Sequence, residues 1–149
     1  MTPQDVDNWN KEGCVDRSIL KAAQLNGSTI TREDFAKRFG TSLDDSARFA
    51  ALEALGIPLR DQTQDYERVM QAVNIEQRRV LVKSEIDLSP GSKKANKHCS
   101  VLLTIDPTGF RIWTPLNNGG EEERNLTRSE WSETQCTGQI LGELPVKKA

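Results

Sequence analysis

The sequence predicts an α+β fold, with several short helices preceding an antiparallel sheet. Three observations predict it. Apolar residues recur at helical spacing through the first half of the chain. Short β-branched and apolar runs replace that pattern after residue 79. A turn tetrad, Asp106-Pro107-Thr108-Gly109, joins two of those runs as a hairpin.

Each element has its own local signal. Residues 14–25 carry Val15, Ile19, Ala22, Ala23 and Leu25 on one helical face, and Asn26-Gly27 ends the run. Thr31 with Asp34 three positions later opens a second helix, which closes at Phe39-Gly40. A third is expected from Ser42-Leu43-Asp44-Asp45, with Phe49, Leu52 and Leu55 on one face and a stop at Gly56-Ile57-Pro58. A fourth covers 64–73 through Tyr66, Val69, Met70 and Val73. Residues 79–82 read as a short strand, 87–97 as a polar loop and 98–105 as a buried strand. In the tetrad that follows, Asp at the first turn position, Pro at the second and Gly at the fourth suit a β-turn. The return strand covers 110–116, and 117–125 is expected to be a polar loop. Thr127 and Glu130 form a capping box, and 138–144 is a last strand. Neither a repeat nor a domain-sized linker interrupts the 149 residues, so one domain over 1–149 is expected.

Composition narrows the function. Apolar residues make up 36% and charged residues 28% of the chain, an ordinary globular balance. With 20 basic against 22 acidic groups the net charge is −2, so no basic field gathers phosphates, and nucleic acid is not an expected partner. No apolar window is long enough to span a bilayer. The first residues lack the basic flank and apolar stretch of a signal peptide. The expected location is therefore the cytoplasm, or outside the cell after export without a cleavable signal. Three cysteines, Cys14, Cys99 and Cys136, argue against a disulfide framework in a reducing compartment. One histidine and three scattered cysteines lack zinc-site spacing, so neither metal nor cofactor is expected.

The candidate chemistry rests on Cys14 and on the single histidine, His98. Cys14 follows Gly13 at the start of a helix, where the positive end of the helix dipole favours a thiolate. That thiolate can attack a carbonyl carbon with His98 as proton carrier. Cys99 is expected on the opposite side of its strand from His98, as a core residue. In the hairpin, cross-strand partners summing to 215 set His98 opposite Asn117, whereas a sum of 216 brings Thr114 onto the His98 face. A one-residue change of register decides between them.

The ordered set of segments resembles the papain-like cysteine peptidases, closest to those that process double-glycine bacteriocin leaders. The segments are the helix opening at Cys14, Gly27 to Phe35, His98 to Leu102, Trp113-Thr114-Pro115, Glu130-Trp131 and Gly138 to Leu141. The resemblance spans nearly the whole chain. It implies a bacterial thiol hydrolase of amide bonds, a peptidase or glutamine deamidase, acting on a peptide or protein. If the chain is exported, as effectors are, that substrate belongs to a host or competitor. It also implies Cys14 as nucleophile, His98 as acid–base, Thr114 or Asn117 as the orienting residue, and Asn8 or Asn10 as oxyanion donor. The chain departs from the family in three places. Val15-Asp16 follow the cysteine where Gly-Pro is usual, Asn8 occupies the place of a glutamine, and Thr114 that of an aspartate. These departures imply the alternative of an inactive papain-like domain that binds a protein or peptide.

Overall fold

A computed structural model describes residues 2–41, 43–86, 95–116 and 119–142, with the side chains of 10–12 and 95–96 left aside. Six helices and six strands follow one another as α1 (Pro3–Glu12), α2 (Cys14–Leu25), α3 (Arg32–Phe39), α4 (Asp45–Ala54), β1 (Leu59–Thr63), α5 (Tyr66–Asn74), β2 (Val80–Ile86), β3 (Ala95–Ile105), β4 (Gly109–Pro115), β5 (Glu121–Thr127), α6 (Arg128–Glu133) and β6 (Thr137–Leu141). The α+β expectation holds. Its simple order does not, because β1 lies among the helices and α6 among the strands.

Local capping explains most helix starts. Thr2, Thr31 and Thr127 each close a capping box with the acidic residue three positions on. Asp44 caps α4 and Asp65 caps α5, so these helices begin later than apolar spacing alone suggests. Helix α2 is the exception: Gly13 precedes it without any side-chain cap. A methyl group at Gly13 would lie 2.4 Å from the Trp9 carbonyl oxygen, so the tight join of α1 to α2 requires glycine.

The strands form one antiparallel sheet in the order β1-β6-β2-β3-β4-β5. Alternation divides its side chains between two cores. One face carries Leu81, Cys99, Val101, Trp113 and Leu141 beneath α1–α4, packed on Trp9, Ile19, Phe35 and Leu52. The other carries Val80, Val82, Leu102, Ile112 and Ile140, covered by Tyr66, Val69 and Trp131 of α5 and α6. Tyr66, Phe110 and Trp131 meet edge-to-face with centroids 5.4–6.2 Å apart. Among the described residues, no helix is long and apolar enough to cross a membrane.

The predicted loop after β4 needs correcting. Glu121 to Thr127 form edge strand β5, with Glu122, Arg124 and Leu126 opposite Thr114, Ile112 and Phe110. Its charges suit an edge, where they discourage pairing with another chain. The stretch 79–82 is likewise part of a longer strand, β2.

Candidate active site

The turn at 106–109 fixes the start of the β3–β4 hairpin. Asp106 Oδ1 accepts from the Thr108 hydroxyl at 2.7 Å and from the Thr108 and Gly109 amides at 2.8 and 3.0 Å; the hydroxyl first, then the amides, hold its carboxyl below the usual range. From there Ile105 pairs Phe110 and Thr104 pairs Arg111, a sum of 215. Beyond a bulge at Leu103 the pairs are Leu102 with Ile112 and Val101 with Trp113, a sum of 214. Neither single register expected from the sequence holds along the whole hairpin. The bulge puts Thr114 on the His98 side of the sheet, opposite Ser100.

There the three polar side chains form a chain. His98 Nε2 lies 2.6 Å from Thr114 Oγ1, and the Ser100 hydroxyl donates to the same oxygen at 3.1 Å. Ser100 and Thr114 are fully buried, while His98 is half-buried. Ser84 pairs with His98 across β2 and β3, and its buried hydroxyl has no hydrogen-bond partner among the described residues. This strip replaces apolar packing at one end of the sheet, and a buried hydroxyl network of this kind is costly to break.

Helix α2 brings Cys14 to the same end. The Ser18 hydroxyl donates to the Cys99 carbonyl at 3.1 Å. Continuing the register sets Cys99 opposite Pro115, which has no N–H to offer. At the preceding position, the Arg17 guanidinium donates to the carbonyls of Leu116, Gly119 and Gly120 at 2.7, 3.1 and 2.5 Å, clamping the β4–β5 connection to α2. Cys14 is half-buried and packs against the core cluster that contains Cys99. Cys99 and Cys136 are buried thiols, as expected of core residues. Burial first, and then the charge of Cys14, push Cys99 up to about 12; burial pushes Cys136 up to about 11.

Pleat alternation sends His98 out of β3 on the side away from Cys99 and α2. The thiol and the imidazole therefore lie on opposite faces of the sheet, near the end that carries Cys99. Asp16 turns toward α4, where Arg48 Nε lies 3.1 Å from its carboxylate. Burial raises the Asp16 carboxyl from its ordinary 3.8, against the opposing pull of Arg48. Asn8 lies on α1 with its amide oxygen accepting from Gln4 at 2.9 Å. Asn117 and the side chain of Asn10 lie outside the described residues. Among those described, no group of three or more His, Cys, Asp or Glu residues could hold a metal ion.

Comparison with protein-family models, curated proteins and solved structures finds no match for this chain. The Arg17 clamp was not expected from the sequence. The sequence signal for it is an arginine on the Cys14 stripe of α2, and its acceptors lie 99 to 103 residues away.

Proposed function

We propose that this chain is a papain-like thiol hydrolase of amide bonds in peptides or proteins, with Cys14 as nucleophile and His98 as acid–base. The observation that carries this reading is the His98–Thr114–Ser100 chain at the end of the sheet where the uncapped α2 begins at a half-exposed cysteine. In the first half-reaction the Cys14 thiolate attacks the amide carbon and forms a C–S bond. The oxyanion faces the start of α2, where the dipole favours negative charge. His98 then gives its proton to the leaving nitrogen as the C–N bond breaks. Water, losing a proton to His98, hydrolyses the thioester and restores the thiol. Thr114 holds the imidazole through Nε2 at 2.6 Å. A neutral hydroxyl orients the ring but stabilises imidazolium less than a carboxylate would.

The Thr114 oxygen also favours a second reading, a domain of the same fold that binds a peptide without cleaving it. Assay of a quenched-fluorescent peptide library, together with ammonia release from glutamine peptides, separates the two. Turnover by the wild type that is lost in both Cys14→Ala and His98→Ala supports the hydrolase. Undiminished activity in Cys14→Ala refutes it.

A further inference from the structure

Cys14, Arg17, Lys21 and Gln24 recur three and four residues apart, so they form one stripe along α2. Beyond the first turn, that stripe lines a pocket of about 320 Å³ between α1, α2, β4 and the β4–β5 connection. Trp9 and Trp113 also line it, and Arg32 and Glu121 stand at its rim. Charge gathers here against the net charge of the chain, with three cations facing one carboxylate. Arg17 spends its hydrogen-bond donors on neutral carbonyls, and the Glu121 carboxylate faces its charge. The Lys21 ammonium lies 5.5 Å from the Trp113 ring centroid and makes no ion pair among the described residues. Among the described residues, Arg32 pairs with its exposed neighbour Glu33, at 2.9 Å.

We infer that this pocket binds an acidic side chain, Asp or Glu, of a peptide lying along α2, with the carboxylate between Lys21 and Arg32 and its stem against the tryptophans. A half-desolvated cation beside aromatic walls strengthens a carboxylate contact relative to bulk water, and an isosteric amide gains none of the charge. The pocket starts one turn past Cys14. On the hydrolase reading, on which this step rests, it therefore selects substrates with an acidic residue close to the scissile amide.

The test is binding of peptides to Cys14→Ala protein, followed by fluorescence anisotropy, so cleavage plays no part in it. The peptides carry Asp, Glu, Asn or Gln at one scanned position in a Gly-Ala background. The expected result is binding of the acidic forms roughly three- to tenfold tighter than their amides, with the gap shrinking as salt rises. Adding Lys21→Gln removes most of the preference, whereas Lys37→Gln on α3 leaves it intact. Equal binding of acid and amide, no binding of the acidic peptides at millimolar concentration, or a preference unchanged by Lys21→Gln together with Arg32→Gln overturns the inference. Acid preference without turnover by the wild type overturns the hydrolase reading and keeps the pocket.

Discussion

Replacing Thr114 by valine removes one oxygen and keeps the shape of the side chain, at a position 2% exposed. That oxygen serves His98 at 2.6 Å and Ser100 at 3.1 Å. The half-exposed imidazole can turn to water, so its loss is modest, about 1 kcal/mol. Ser100 has no such escape, being 0% exposed, and leaving its hydroxyl unpaired costs about 1–3 kcal/mol. Together Thr114→Val is expected to cost about 2–4 kcal/mol, or a fall in Tm of about 4–16 °C for a chain of this size. Urea unfolding followed by circular dichroism measures it. The distinguishing arm is the double variant Ser100→Ala with Thr114→Val, which removes both partners and should cost less than the sum of the singles by about 1 kcal/mol. Thr114→Ser should retain most of the stability. A Thr114→Val cost under about 0.5 kcal/mol, or additive single and double variants, would refute the hydroxyl chain.

Further outcomes follow from other parts of the molecule. Iodoacetamide on the folded protein, read by peptide mass mapping, should label Cys14 and spare Cys99 and Cys136 until the chain unfolds; labelling of all three at similar rates would contradict their burial. Because burial raises the Asp16 carboxyl above 3.8, the folded chain holds that proton where the unfolded chain has released it, so the contribution of Asp16 to stability is full at lower pH and falls as pH rises through the folded value. Urea melts of Asp16→Asn and wild type should therefore diverge in favour of the variant as pH rises from about 4 toward neutral; a flat or opposite trend would show that the Arg48 pair outweighs burial. Gly138→Ala places a methyl 2.7 Å from Val69 Cγ2 with Val80 and Trp131 behind it, and should cost about 1–3 kcal/mol in the same melts.

What the sequence made legible was what is local. The bounds of α2 follow from its apolar stripe and the Asn26-Gly27 stop. The starts of α3 and α6 follow from capping boxes whose partners lie three residues apart. Strands β1 and β5 were hidden because they are edges: Leu59 to Thr63 and Glu121 to Thr127 are mostly polar, and pairing with β6 and β4 makes them strands. Helix α1, whose residues are mainly polar, is anchored by Trp9 against Phe35 at 5.6 Å and by the cap at Thr2. In the site, the strand locations of His98 and Thr114 were legible, and so was the dependence on register. The bulge at Leu103 was not, since the Asp106 turn sets pairing only as far as Thr104. Nor was the Arg17 clamp, whose acceptors are backbone carbonyls that no side-chain pattern announces.

The central claim is that His98 acts as acid–base on Cys14. The rate of Cys14 alkylation by iodoacetamide at neutral pH, in wild type and in His98→Ala with folding checked by circular dichroism, tests it most directly. An imidazole that draws the proton from the thiol predicts a rate roughly tenfold or more lower in the variant. Equal rates in the two folded proteins would contradict it.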